Sequence, residues 1–312
     1  MTFRRIGRVA LPLVVRGVAL LAGRGRPMPD VGPVPAGTVV DLPGRGKTHV
    51  VDLPGPRPDA PVILLLHGIA TTGSLTWFSV MAELARDYRV ITYDQRWHGR
   101  GIPSETFLLD DCADDGAAVL DALGIDRAVV VGYSMGGATA QVLWHRHPER
   151  VAGLVLCSTA ARWQGHLGER AFYAVLSGVN KLFLSGVPDR VRLHAEDLPE
   201  LPLDSPHLGA WALAELRSTS PWVLPHVLSE LGRFDATPWI GEVAVPTGMV
   251  ITARDHAIPT ARQRQLAELL PNGYVREAPG GHASLVFDRE RWKPVFLEVV
   301  GAVARAAAQA AA

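Results

Sequence analysis

One serine stands where it could act as a nucleophile. The pentapeptide Gly-Tyr-Ser-Met-Gly at 132–136 follows a short apolar run typical of a strand and opens a helical pattern. A sharp strand-to-helix turn holds its serine in a strained backbone conformation, and the flanking Gly132 and Gly136 let strand and helix approach closely. This setting, more than the five letters, predicts that Ser134 is a nucleophile. The alternative is a glycine-rich helix start that carries an incidental serine.

A serine hydroxyl is a weak nucleophile and needs a base that is itself oriented by a carboxylate. His282 follows two glycines in a loop after the last predicted strand, where a flexible turn can bring the imidazole over the sheet. Asp255 lies just beyond another predicted strand. The chain order Ser134, Asp255, His282 predicts a catalytic triad that transfers acyl groups.

Other histidines fit the role of base less well. His256 would share a turn with its own orienting acid, so we expect it near the site or on the surface. His145 and His147 lie on the helix that follows Ser134 and should point away from the turn.

Other aspartates compete for the role of orienting acid. Asp94 ends a predicted strand and stays open as an alternative carboxylate. Asp114 and Asp115 fall within a predicted helix, where a solvated face is the better interpretation.

Acyl transfer also needs hydrogen-bond donors for the oxyanion. His67-Gly68 follows a buried strand, and the loop there can direct the Ile69 amide at a reacting carbonyl. The Met135 amide, at the start of a helix and without an acceptor inside it, would be the second donor. We expect His67 to be a structural hydrogen-bonding residue that supports the loop and not a base.

The elements that must position these residues alternate between apolar runs and helical patterns. Continuous apolar runs indicate strands buried on both faces, and their alternation with helices predicts a doubly wound, mostly parallel sheet. An early hairpin is indicated by two short runs in a region rich in Gly and Pro. The predicted strands cover residues 38–42, 48–53, 62–66, 90–93, 128–131, 151–156, 246–252 and 274–277, and the predicted helices cover 77–86, 110–123, 135–147, 261–270 and about 289–308.

The alternation stops after the sixth strand of the core. Residues 162–239 carry helical patterns and many leucines, together with tryptophans that include Trp163, Trp211 and Trp222, but no strand-like run. We therefore expect a helical cap inserted into a core formed by residues 38–161 and 240–312, preceded by an N-terminal extension over 1–37. A mobile lid over an apolar pocket and an ordinary helical subdomain both fit this pattern.

The first 30 residues are basic and amphipathic. Six arginines precede the first acid, Asp30, and on a helix four of them share one arc opposite the apolar side chains. The apolar stretch is too short and too interrupted to span a bilayer. Residues 3–21 could contact a membrane that contains anionic lipid, although a helix packed on its own domain fits equally well. A signal peptide is a third interpretation.

Composition and charge leave partner choice to local features. Lys plus Arg and Asp plus Glu number 31 each, so no net field would draw the protein to nucleic acid. Cys112 and Cys157 are too few for a disulfide framework and lack metal-ligand spacing. We expect two buried thiols, no metal, no cofactor and a cytoplasmic protein whose oligomeric state is open.

Five segments together resemble the α/β-hydrolase superfamily over nearly all of residues 38–300. They are His67-Gly68, residues 94–101, residues 132–137, Asp255 and Gly280-Gly281-His282. The resemblance is to small capped serine esterases, lipases of the monoacylglycerol type and cofactor-free haloperoxidases. One departure is Trp97, which stands where related hydrolases often have the first glycine of Asp-x-Arg-Gly-x-Gly-x-Ser. Epoxide hydrolases and haloalkane dehalogenases have aspartate at the nucleophile position, so Ser134 argues against both chemistries.

The resemblance and the triad imply hydrolysis of carboxylic esters, with lipophilic substrates suggested by the Trp-rich insertion alone. The same triad would serve a perhydrolase or haloperoxidase, a thioesterase, a lactonase or a hydrolase of carbon-carbon bonds. A ligand receptor of the same fold with little turnover is the alternative from a different class.

Overall fold

The computed structural model describes residues 35–165, 167–183, 186–189, 191 and 208–311. The basic segment expected at residues 3–21 lies outside the described residues, so its lipid contact stays a prediction. Within the described part of the chain, one eight-stranded sheet forms the centre of the molecule. Its strands are β1 Thr38–Leu42, β2 Gly46–Leu53, β3 Val62–Leu66, β4 Arg89–Tyr93, β5 Ala128–Tyr133, β6 Val151–Cys157, β7 Thr247–Thr252 and β8 Tyr274–Ala278.

The strand order is that of a doubly wound sheet. It runs β1-β2-β4-β3-β5-β6-β7-β8. The hairpin β1-β2 is antiparallel and β2 joins β4 antiparallel, while the strands from β4 to β8 pair in parallel. The predicted hairpin, strands and mostly parallel sheet are confirmed, with bounds that shift by no more than two residues.

Helices cover both faces of this sheet. The helices of the core are α1 Gly73–Leu84, α2 Leu109–Ala122, α3 Met135–Arg146, α7 Thr260–Leu269, the single turn α8 Ser284–Phe287 and α9 Arg289–Ala311. Trp77 of α1 and Phe296 of α9 belong to the apolar cluster on one face. Leu120 of α2, Leu143 of α3 and Leu266 of α7 belong to the cluster on the other.

Register brings the carboxyl ends of the central strands side by side. Leu66 at the end of β3 pairs with Gly132 of β5, and Tyr133 pairs with Cys157 of β6. At the end of β7, Thr252 pairs with Ala278 of β8. Loops after parallel strands emerge at the same edge of the sheet, so the loops after β3, β5, β7 and β8 meet there.

Helices lie between β6 and β7 in the chain, where the insertion is predicted. They are α4 Leu167–Phe183, α5 Leu208–Ser218 and α6 Val223–Arg233. Trp211 of α5 packs edge-on against Phe78 of α1, with ring centroids 5.7 Å apart. The division of the chain into core and cap stays a prediction, and Trp211 belongs to the contact between α5 and the core.

One described helix, α9, is long and apolar enough to cross a membrane by length and composition. It is a core helix, because Trp292, Phe296, Val299 and Val300 are fully buried against the sheet.

One expectation about charged residues is wrong. Asp115 does not lie on a solvated face: it is 1% exposed, because its carboxylate accepts two hydrogen bonds from Arg96 and one from Arg45. Asp114 is half-buried and pairs with Arg146 and His147. Cys112 and Cys157 are free and buried, as predicted.

Candidate active site

Ser134 stands at the turn between β5 and α3 with φ +56° and ψ −117°. A non-glycine residue rarely adopts positive φ, and strain of this kind requires surroundings that fix it. Its amide donates to the Cys157 carbonyl over 2.9 Å. A side chain at Gly132 would collide with the Gly136 carbonyl, and one at Gly136 would collide with the Leu66 carbonyl. The two glycines therefore allow the close approach of strand and helix that the sequence predicts.

Three predicted residues form one hydrogen-bonded array. His282 Nε2 lies 2.9 Å from Ser134 Oγ, and His282 Nδ1 lies 2.7 Å from Asp255 Oδ2. With Nδ1 donating to the carboxylate, Nε2 carries the lone pair that can accept the serine proton. The geometry is that of an activated hydroxyl, its base and the acid that orients the base.

Asp255 is held by its own loop and by α7. The Ala257 and Ile258 amides each donate to its Oδ1 over 2.9 Å. Gln263 Nε2 donates to Oδ2 over 3.0 Å, and Gln263 Oε1 accepts the Thr252 amide. The side chain of Asp255 is fully buried, so these bonds compensate for removing its charge from water.

The residues predicted to bind an oxyanion belong to segments next to Ser134. A Cβ on Gly68 would stand 3.5 Å from Ser134 Cβ, so the loop that carries Ile69 runs directly beside the nucleophile. Met135 is the first residue of α3, and its N–H has no acceptor within that helix. The structure thus places the loop that carries Ile69 and the start of α3 beside the nucleophile, and the role of the two amides as oxyanion donors stays a prediction.

His67 connects this loop to the next strand. Gln95 N donates to His67 Nε2 over 2.9 Å, and His67 Nδ1 lies 2.8 Å from the Gly68 carbonyl. Burial and the nearby His98 lower the pKa of His67 to about 3, so it stays neutral. A neutral imidazole fully engaged with backbone groups is placed for support of the loop.

Gln95 is a residue that sequence reasoning missed. Its Nε2 donates to the His67 carbonyl and its Oε1 accepts from Thr139 of α3, each over 2.8 Å. Gln95 therefore joins the loop after β3 to the helix that follows Ser134. The only sequence signal is a polar side chain between Asp94 and Arg96 at the end of a buried strand.

The competing residues lie elsewhere. His256 is exposed, His145 stacks on Trp239 with ring centroids 4.3 Å apart, and His147 bonds Asp114. Asp94 accepts amide hydrogen bonds from Gly73 and Arg100 and makes none with His282. None of them replaces a member of the array.

Trp97, the departure noted in the sequence, adopts φ +65°. Glycine is common there because the backbone is left-handed. Here the indole Nε1 donates to the Ser104 carbonyl over 2.8 Å, and the ring packs near His226 of α6. Among the described residues, no group of three or more His, Cys, Asp or Glu side chains is placed to hold a metal ion.

Comparisons with known proteins agree with this fold. The sequence model of the family described as alpha/beta hydrolase fold matches residues 61–288. RutD of Caulobacter sp. (strain K31), which is designated a carbamate hydrolase by inference, is 29% identical over 252 residues, covering 78% of this chain and 91% of that protein.

Two solved structures are similar in fold. A thermophilic esterase from Thermogutta terrifontis aligns with a TM-score of 0.65 and 23% identity over 86% of this chain and 98% of that chain. BpoC of Mycobacterium tuberculosis H37Rv, designated a non-heme bromoperoxidase by inference, aligns with a TM-score of 0.60 and 28% identity over 82% of this chain and 96% of that chain.

Proposed function

The chain belongs to the α/β-hydrolase family, and from that membership we propose that it is a serine hydrolase that cleaves carboxylic esters through an acyl-enzyme on Ser134. The observation that carries this proposal is the hydrogen-bonded array in which His282 Nε2 lies 2.9 Å from Ser134 Oγ and His282 Nδ1 lies 2.7 Å from Asp255. Nucleophile, base and orienting acid are all within hydrogen-bond reach, which is the requirement for activating a serine.

In the proposed reaction, Ser134 Oγ attacks the ester carbonyl while His282 Nε2 takes its proton. The oxyanion accepts hydrogen bonds from the Ile69 and Met135 amides. His282 then gives its proton to the leaving alcohol, and the acyl group stays on Ser134. A water molecule, deprotonated by His282, cleaves the acyl-enzyme and restores Ser134, while Asp255 keeps His282 in one tautomer throughout.

We propose a lipophilic substrate because Ile69, on the loop beside Ser134, and Trp222, just before α6, are apolar side chains that stay partly exposed. Met135 belongs to the same apolar cluster as Trp163, and the half-buried Ile69 and Trp222 pack against that cluster. Trp211, another tryptophan of the predicted insertion, does not support this argument because its ring packs on α1.

Carbamate hydrolysis is a second candidate. It is favoured by the 29% identity with RutD over 78% of this chain. A carbamate carbonyl would be attacked by the same serine, so the array alone does not separate the two substrates.

The test compares turnover of p-nitrophenyl butyrate and of a p-nitrophenyl N-alkylcarbamate by the wild-type protein and by Ser134→Ala. We expect butyrate turnover in the wild type and a loss of about 10⁴-fold or more in the variant, as for removal of a triad nucleophile. Ser79→Ala, a half-buried serine on α1, is the matched control and should retain wild-type kcat. Turnover by Ser134→Ala at the wild-type rate would disprove the mechanism, and faster turnover of the carbamate would favour the second candidate.

A further inference from the structure

Helix α5 reaches the loop that carries Ile69 through a buried carboxylate. Glu215 is 2% exposed, and its Oε2 accepts a hydrogen bond from Thr72 Oγ1. Thr72 is the N-cap of α1, because its Oγ1 also accepts the Leu75 amide over 3.0 Å. Since Thr72 follows Ile69 by three residues, Glu215 bonds to the end of the short loop between β3 and α1.

A second buried carboxylate joins this cluster. The two oxygens of Asp94 accept the Gly73 and Arg100 amides, each over 2.9 Å. Arg100 in turn places its Nη1 3.6 Å from Glu215 Oε1. The loop after β3 and the loop after β4 are thus both tied to one carboxylate on α5.

Further contacts fix α5 at the same place. Thr219, just after the helix, accepts the Gly99 amide over 2.9 Å. At the other end of the helix, Trp211 and Ala212 pack against Leu75 and Phe78 of α1. The apolar contact holds the helix on the core, whereas Glu215 makes the polar contact with the loop.

The charges that face Glu215 show what its burial costs. Burial and, to a lesser extent, the neighbouring Asp94 raise the pKa of Glu215 to about 7 against the opposing effects of Thr72, Arg100 and His49. Burial likewise raises the pKa of Asp94 to about 6. A buried carboxyl group is costly to ionise. Because Trp211 already holds α5 on the core, attachment of the helix alone does not explain Glu215. It is well suited to fixing a hydroxyl in one direction.

We propose that Glu215 is a positioning residue that acts through Thr72 to hold the Ile69 amide where an oxyanion forms. The inference rests on the proposed function. It implies that the geometry of the oxyanion site depends on the position of α5.

The first test measures kcat and KM for p-nitrophenyl butyrate in the full chain. Glu215→Ala and Thr72→Val should each lower kcat by about tenfold or more with KM within about threefold, because misdirecting an oxyanion donor removes part of the 10²- to 10³-fold that such a donor supplies. The double variant should lose no more than either single variant, since both changes break one connection. Glu215→Gln, which keeps an oxygen acceptor for Thr72, should recover most of kcat. Additive losses in the double variant would overturn the proposal.

The matched control is Glu230→Ala on α6. Glu230 also connects a helix of the insertion to the core, since its Oε1 accepts the Leu109 amide over 3.4 Å, but that contact is with the start of α2 and not with the loop that carries Ile69. Glu230→Ala should retain wild-type kcat. A kcat loss in Glu230→Ala equal to that in Glu215→Ala would show a general effect of loosening the insertion and overturn the specific role.

A second readout does not depend on turnover. Amide hydrogen exchange of residues 68–73 should speed up in Glu215→Ala and Thr72→Val and stay at the wild-type rate in Glu230→Ala. Unchanged exchange in the first two variants would overturn the proposal even if no ester is cleaved. If wild-type Ser134 resists a fluorophosphonate while exchange responds as expected, the proposed function has failed and the positioning contact stands.

Discussion

Asp255 shows how much of the array depends on residues that do no chemistry. Its two oxygens receive hydrogen bonds from the Ala257 and Ile258 amides, from Gln263 and from His282. The carboxylate therefore has one orientation, and its hydrogen bond with Nδ1 fixes the orientation of the His282 ring. Gln263 connects Asp255 to the sheet, because it also accepts a hydrogen bond from the Thr252 amide at the end of β7.

Gln263→Leu should loosen this arrangement. The change leaves the Thr252 amide without its acceptor and removes one donor from Asp255, so we expect about 2 kcal/mol lower stability and a kcat lower by about tenfold. Thermal unfolding and p-nitrophenyl butyrate kinetics measure the two effects. Gln265→Leu, the same substitution on the exposed face of α7, is the control. Equal kcat in both variants would contradict the role assigned to Gln263.

At the residue scale, a catalytic residue can be predicted from the sequence when its side chain is reactive and it follows a predicted strand. Ser134, Asp255 and His282 each follow a strand-like run in the expected order, and the structure brings them together. Gln263 and Gln95 could not be found this way, because a glutamine has no reactivity to mark it. The one available signal is that Gln263 lies on the buried face of α7 together with Leu266.

At the element scale, the contact between α5 and the core carries ionisable groups that link stability to pH. The folded pKa of Glu215 is raised from 4.5 to about 7, chiefly by burial. At a pH between these two pKa values, the Glu215 carboxyl group keeps its proton in the folded protein and releases it in the unfolded chain. The contribution of Glu215 to the unfolding free energy is therefore present below the unfolded pKa and declines as the pH rises through the folded pKa.

Glu215→Gln should consequently change how stability depends on pH. The wild-type protein should be more stable relative to the variant at pH 5 than at pH 8, by about 2 kcal/mol or less, because the variant has no carboxyl group to ionise. Chemical denaturation of both proteins at each pH gives the difference. A difference that is the same at pH 5 and pH 8 would mean that Glu215 titrates normally in the fold.

Elements built from buried apolar runs were predictable, and those set by local capping or distant charges were not. The strands were found because continuous apolar runs leave few alternatives. Helix α1 begins at Gly73, four residues before the predicted start, because the Thr72 cap compensates for Gly73 and Ser74, which are poor helix formers. The predicted exposure of Asp115 is wrong because its partner Arg96 lies 19 residues away along the chain, and helical periodicity contains no information on so distant a partner.

At the scale of the whole molecule, α9 closes one face of the sheet. Phe296 is fully buried, stacks on Trp292 at 5.1 Å between ring centroids, and lies 5.6 Å from the ring of Trp77 on α1. The apolar length of this helix is therefore used inside the protein core.

Phe296→Ala should lower the unfolding free energy by about 3 to 5 kcal/mol, as expected for loss of a buried aromatic side chain. Leu297→Ala, at the next and only half-buried position, should cost clearly less. Denaturant unfolding of the two variants gives both values. Equal small losses would show that α9 does not pack as a core helix.

The basic segment at residues 3–21 remains a separate prediction about the whole chain. If it contacts anionic lipid, full-length protein should float with anionic vesicles more than a chain lacking residues 1–30. Equal flotation of the two would reject lipid contact through this segment.

The central claim is that His282 activates Ser134 as a nucleophile, and labelling with a fluorophosphonate tests it most directly. We expect intact-mass measurement to show one adduct on the wild-type protein, peptide mapping to place it on Ser134, and Ser134→Ala to remain unlabelled. His282→Ala should react more slowly by about 10³-fold or more, because the hydroxyl loses its base. Labelling of Ser134→Ala to the wild-type extent, or of His282→Ala at the wild-type rate, would contradict the account.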